Sequence, residues 1–189
     1  MTSQFSPKVS QILAFSREEA TRLASTSVGP EHLLLGILRE KEGVVIDLLH
    51  RLNVDIPRIK DELEQRVRAN TPAVSDNKNV VNDIILNDQA SNILRLAVLE
   101  ARIQQTSVVD TQHVLLAILH DQIDNGAKIV LEANHVDYEQ VAKQLQKKPT
   151  TDDIGLPDED EEDFNEGDNM KGGGHMQSTQ TDVAQQGNG

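Results

Sequence analysis

FSPKVSQILAFSREEATRLASTSVGPEHLLLGILRE, residues 5–40, and LNDQASNILRLAVLEARIQQTSVVDTQHVLLAILHD, residues 86–121, are two versions of one sequence, aligned without a gap at an offset of 81. Ser10, Ile12, Leu13, Glu19, Ala20, Val28, His32, Leu34, Leu35, Ile37 and Leu38 each recur in the second copy. Further on the offset becomes 82, so that Val54, Asp55 and Leu63 meet Val136, Asp137 and Leu145. One residue has been inserted between the second and third elements, in a loop, where insertions are tolerated. A duplicated unit of this length calls for a repeat architecture in which each copy buries its apolar face against the other.

The unit reads as four helices, and the chain as all-α. Ser6 stands where an N-cap is needed and Pro7 at the first helical position, where its missing N–H costs nothing. Val9, Ile12, Leu13, Phe15, Ala20 and Leu23 then keep helical spacing, predicting a first helix over 7–24. A second starts at Pro30 with Leu33, Leu34, Ile37 and Leu38 facing inward, bracketed by Gly29 and Gly43. Helices over 44–52 and 56–69 complete repeat one (5–69), and repeat two (86–147) offers 88–105, 111–120, 127–133 and 138–146. Residues 70–83, rich in Asn, Asp and Ser, read as the joining loop. No strand alternation competes.

The pattern stops after Pro149. Residues 150–189 hold eleven acids against one lysine, a net of −10 that leaves only −3 of the chain's −13 for residues 1–149. Six consecutive acids, Asp158 to Asp163, followed by Gly172 to Gly174, cannot bury enough apolar surface to offset ordering, so an extended, disordered acidic linker is expected. The nearly balanced body offers no basic face for nucleic-acid phosphate or anionic lipid, which argues against both as partners. With no cysteine, disulfides and Cys-based zinc sites are excluded. No apolar run has the length of a signal peptide core or a membrane span, so a cytoplasmic location is expected.

The stretch Ser27-Val28-Gly29-Pro30-Glu31-His32-Leu33-Leu34-Leu35-Gly36-Ile37-Leu38-Arg39-Glu40 resembles the signature of the Clp N-terminal repeat family. Phe5-Ser6-Pro7-Lys8 and Ser16-Arg17-Glu18-Glu19-Ala20 are similar to its first helix. The resemblance covers both repeats and is nearest to the N-domain of ClpC-type unfoldases, with the acidic tail similar to the linker that precedes the ATPase ring. It implies a pseudo-two-fold double repeat that recognises protein substrates and adaptors on behalf of an AAA+ unfoldase and its Clp peptidase. A free-standing accessory subunit that docks on a Clp ring is the alternative. No Gly-x-x-x-x-Gly-Lys-Ser/Thr loop is present to hold nucleotide phosphates, so no ATPase activity and no cofactor are expected in this chain, ATP and Mg belonging to the ATPase domains of a longer parent.

The same resemblance implies a role for Glu31 as acceptor of the guanidinium of phosphorylated arginine, with Ser6, Lys8 and the local backbone receiving the phosphate. The plainer reading is that Glu31 complements the dipole of its helix, worth about 0.3–1 kcal/mol. Repeat two substitutes Gln112 for Glu31, Asn87 for Ser6 and Gln89 for Lys8, so one competent site and one degenerate site are expected. His32 and His113 share a repeat position without ligand-spaced partners and read as structural rather than metal-binding. Glu18 and Arg22 read as an exposed i,i+4 pair. There is no Gly-x-Ser-x-Gly elbow and no cysteine nucleophile, so no catalytic residue is assigned.

Overall fold

The computed structural model describes residues 4–71 and 84–147, all of which fall in one compact unit, Met1–Thr150. The expected linker over 150–189, and residues 72–83 of the expected joining loop, lie outside the described residues. Eight helices occupy the described residues: α1 Pro7–Arg22, α2 Pro30–Leu38, α3 Val44–Arg51, α4 Ile56–Asn70, α5 Asp88–Ile103, α6 Thr111–His120, α7 Gly126–Ala133 and α8 Tyr138–Gln146.

Local chemistry sets the helix starts, with Ser6 the N-cap that was expected. Ser6 accepts from the Val9 amide, and its counterpart Asn87 from the Ala90 amide. Asp55 and Asp137 cap α4 and α8 through the amides of Arg58 and Gln140. The first helix of each repeat ends two residues earlier than its spacing predicts. Ala24 and Gln105 adopt left-handed φ of 55° and 57°, and Ser25 and Thr106 then donate back to the Ala20 and Ala101 carbonyls. That closure satisfies orphan carbonyls and turns the chain toward the next helix.

α2 and α6 form the centre. Each contacts its own first helix and the other repeat, α2 reaching α5, α6 and α7 and α6 reaching α1, α2 and α3. The inward face expected for α2 was Leu33, Leu34, Ile37 and Leu38, but Leu35 and Gly36 are buried as well. Past its first turn, a helix lodged between two repeats has no solvent side, which is why Leu33 to Leu38 are apolar all round while Glu31 remains half-buried.

The two repeats are tied by an exchange at their lead-in segments. Ser6 N–H donates to the Val109 carbonyl and Val109 N–H to the Gln4 carbonyl, each at 2.8 Å. The same pair recurs with the repeats swapped: Val28 N–H donates to Ile85 O and Asn87 N–H to Val28 O, each at 2.9 Å. The segment before α1 therefore lies beside the segment before α6, and the segment before α5 beside that before α2, as two isolated parallel bridges. This is the pseudo-two-fold relation in backbone terms, and it decides which side chains share a site.

Candidate functional site

Glu31 stands at the second position of α2, half-buried, and its carboxylate has no hydrogen bond or ion pair among the described residues. It lines a groove of about 750 Å³, open to solvent, built from three separate pieces of chain. One is the turn and helix start from Ser25 to His32. The second is the end of α4 with Val67, Asn70 and Thr71. The third is the start of α5, with Asn87 and Gln89. A side chain at Gly29 would bring its Cβ to 3.2 Å from both Asn87 Nδ2 and Glu31 Oε2, so Asn87 and Glu31 approach one another across a glycine.

This grouping corrects the one expected from sequence. Glu31 is not beside Ser6 and Lys8; the exchange of lead-in segments gives it the corresponding residues of the other repeat, Asn87 and Gln89. Ser6 Oγ donates instead to Asp110 Oδ1 at 3.0 Å, in front of α6. Lys8 lies on that side too, its Nζ 3.5 Å from where a Cβ at Gly43 would sit, with Glu40 Oε2 at 3.1 Å from the same point. Burial raises the Glu40 carboxyl above the ordinary range, Asp110 adds to the rise and Lys8 opposes it. Gln112 Oε1 and Glu40 Oε2 are both buried without a hydrogen-bond partner. The groove at Glu31 thus combines one carboxylate with three neutral amides, Asn70, Asn87 and Gln89, while the side facing α6 combines an amide with a lysine and two carboxylates.

His32 also lines the groove, and its bonding settles its chemistry. The Gly29 backbone N–H can only donate, so Nδ1, 3.0 Å away, must accept. The ring proton of neutral His32 then sits on Nε2, 3.0 Å from Ser25 Oγ. Burial holds the ring neutral, pushing it down to about 4 against the pull of Glu19. A catalytic serine needs the opposite tautomer, with the free lone pair on the nitrogen facing the hydroxyl. Ser25 and His32 are therefore a cap and its support, as are Thr106 and His113 in repeat two, where Nδ1 accepts from the Asp110 amide at 2.9 Å. The histidines recur because each completes the N-terminal turn of a central helix.

Two neighbours of Glu31 have no signature in the motif. Gly126, the first residue of α7, leaves the room in which the Glu31 carboxylate and the Arg66 stem sit; a Cβ there would meet Glu31 Oε1 and lie 2.8 Å from Arg66 Cδ. Arg66 has no ion pair or hydrogen bond among the described residues. The site therefore holds an unpaired carboxylate and, beyond it, an unpaired guanidinium. Only the bare charge of Arg66 in α4 marks it in sequence, and nothing local ties it to Glu31. Chemically the groove can seat a cationic, multiply donating group on Glu31, ringed by hydroxyls and amides.

The chain is thus an all-α double repeat with a polar groove composed across the repeats. The family of the Clp repeat (R) N-terminal domain matches residues 4–134, and the chain belongs to that family. It is 32% identical over 157 residues to a probable ATP-dependent Clp protease ATP-binding subunit of Chlamydia pneumoniae, covering 83% of this chain and 18% of that protein. It is 28% identical over 130 residues to the negative regulator of genetic competence ClpC/MecB of Bacillus subtilis, covering 69% of this chain and 15% of the relative. The chain thus spans less than a fifth of the length of these relatives. Among solved structures, the Hsp104 N-terminal domain of Candida albicans shares the fold, with a TM-score of 0.61 and 19% identity over 77% of this chain and 91% of that one.

Proposed function

We propose that this chain captures polypeptides, as substrates or adaptors, for a Clp-type unfoldase, and that the groove at Glu31 receives a cationic side chain, with phosphorylated arginine as the preferred ligand. The observation that carries the reading is the Glu31 carboxylate, without a partner among the described residues, in a groove where the neighbouring His32 ring is held neutral. A guanidinium on that carboxylate makes charge-assisted hydrogen bonds, about twice as strong as neutral ones. The phosphoryl group attached to it extends away from Glu31, and Arg66 is the available cation, taking the part that the sequence had suggested for Lys8. Ser6 and Lys8 then belong with Gln112 to the other side of the pseudo-two-fold, where no motif glutamate stands, and one competent site is expected.

In this reading the chain itself needs no cofactor, and unfolding and peptide cleavage belong to the ATPase and peptidase it serves in the cytoplasm. No helix among the described residues is long and apolar enough to cross a membrane. The acidic segment after Pro149 acts as a tether. The test is a titration of isotopically labelled protein with phosphoarginine, arginine and phosphoserine, read by backbone amide shifts. Saturable shifts at Ser25 to His32 and Asn87 to Gln89, strongest for phosphoarginine and lost in Glu31→Gln, support the proposal. An unchanged spectrum, or equal response in Glu31→Gln, overturns it.

A further inference from the structure

The groove at Glu31 does not end at Asn70. That residue also lines a second cleft, of about 1010 Å³ and open to solvent, running between α4 of repeat one and α7 of repeat two. Its walls are Arg66, Ala69 and Asn70 on one side and Ile129, Val130 and Ala133 on the other. The two clefts meet at Asn70, which lines both, while Glu31 of the first and Arg66 of the second both pack close to Gly126. At the far end Asn134 Nδ2 donates to Glu62 Oε2 at 2.9 Å, bridging α7 to α4. Arg58 and Asn134 hold the Glu62 carboxyl below its usual range, so that acid is already engaged. Beyond Arg66 at its mouth, the second cleft therefore offers a visitor the Gln65 amide and aliphatic surface, including Ile129, which is 39% exposed.

We infer that this cleft between α4 and α7 is the continuation of the binding site, and that it takes the two or three residues flanking the captured side chain in the same polypeptide, preferring aliphatic ones. The inference rests on the proposed capture of a cationic side chain at Glu31. The occupant follows from continuity: a chain anchored at Glu31 and leaving past Asn70, which lines both clefts, has the α4–α7 cleft directly in its path. The length agrees. α7 rises about 12 Å over its eight residues, the span of three to four residues of extended chain. The chemistry agrees as well, because Ala69, Ile129 and Ala133 are exposed and gain from covering by an aliphatic side chain. Specificity would then be read from the anchor together with its neighbours, and the reader would be composite, α4 and α7 coming from different repeats.

The test uses the whole chain and a set of short capped peptides, each with one phosphoarginine, flanked on either side by glycine or by leucine two and three positions away. Affinities are measured by fluorescence anisotropy for the wild type and for Ile129→Gln, an exposed substitution that the fold tolerates. The expected result is an affinity gain of about five- to tenfold for the leucine peptide on one side of the anchor, as covering one aliphatic side chain provides. Ile129→Gln should remove that gain while leaving the glycine peptide unchanged. If the glycine peptide does not bind at all, capture at Glu31 is wrong. If it binds and leucine adds nothing on either side, or the gain survives in Ile129→Gln, the extended cleft is wrong and the anchor stands alone.

Discussion

Replacing Gly36 by alanine should destabilise the protein, although Gly36 sits inside a helix, where alanine is ordinarily favoured by about 1 kcal/mol. The reason is the crossing of α1 over α2. A Cβ on Gly36 would lie 2.6 Å from the Ile12 carbonyl oxygen and 3.1 Å from the Ser16 amide nitrogen, and it would also press on Ser16 Oγ. Two of these obstacles are backbone, so the helices must part rather than a rotamer change. Overpacking of that kind costs about 1–3 kcal/mol, and with backbone displaced the upper end applies. Setting about 3 kcal/mol against the propensity gain leaves a net loss of about 2 kcal/mol. In urea, at an m of about 2 kcal/mol/M, the midpoint followed by far-UV circular dichroism should fall by about 1 M. Repeat two supplies the control, because Ala117 stands at the Gly36 position and Ala97 at the Ser16 position. Ser16→Ala removes the hydroxyl that bonds the Ile12 carbonyl at 2.6 Å. Added to Gly36→Ala it should recover at least about 0.5 kcal/mol, a coupling typical of residues in contact. If Gly36→Ala is as stable as the wild type, the close approach of α1 and α2 is wrong.

The remaining expectations concern buried titratable groups. His32 is lowered from 6.5 to about 4 by burial, so the unfolded chain binds the extra proton first; stability is full above pH 6.5 and is lost as pH falls toward 4. The shift corresponds to about 3 kcal/mol, reduced to about 2 because the ring borders a solvent-filled groove. His113 shifts the same way, and a His32→Gln variant should show a shallower fall in urea midpoint between pH 7 and 4; parallel curves would contradict this. Tyr138, the chain's one tyrosine, donates to the buried Glu100 carboxylate at 2.9 Å, and burial together with that bond pushes it up to about 12. Its phenolate absorbance should therefore appear near pH 12 in folded protein and near 10 in urea, with stability full below 10 and declining above it; a folded-state midpoint at 10 would rule the bond out. Tyr138→Phe should cost about 1.5–3 kcal/mol, because Glu100 is 1% exposed and keeps only His120 as partner.

Helix positions were legible because capping residues and apolar spacing act within a few residues of one another. The first helices end early for a reason equally local, the left-handed Ala24 and Gln105, but neither is a glycine or asparagine, so no residue type announced it. The ion pairs were less legible. Glu18 and Arg22 have the spacing to pair, yet Arg22 bonds Glu19 and Glu64, at 2.5 and 2.6 Å, and Glu18 bonds Arg39 at 2.6 Å. Spacing along one helix does not say which neighbouring helix arrives. The site was the least legible part for the same reason. Glu31 was found from its motif, but its neighbours follow from hydrogen bonds among Gln4, Ser6 and Val109 and among Ile85, Asn87 and Val28, backbone links between residues 57 to 105 positions apart.

That exchange has a consequence for how the duplicated fold diversifies. If each repeat kept its own lead-in segment, a substitution at Ser6 or Lys8 would alter the same groove as a substitution at Glu31, and the grooves would diverge as units. With the segments exchanged, each groove draws its motif helix from one repeat and its rim from the other. Gln112 has lost the carboxylate of repeat one but faces the side that kept Ser6 and Lys8, while Glu31 kept the carboxylate and faces Asn87 and Gln89. The ionic partners separate in the same manner. Glu19 is met by Arg22 and Arg39, whereas Glu100, at the same position, is met by His120 and Tyr138. Two copies of one helical unit thereby present two sides of unlike charge on a common core, and the difference arises at positions where α2 and α6 need not move.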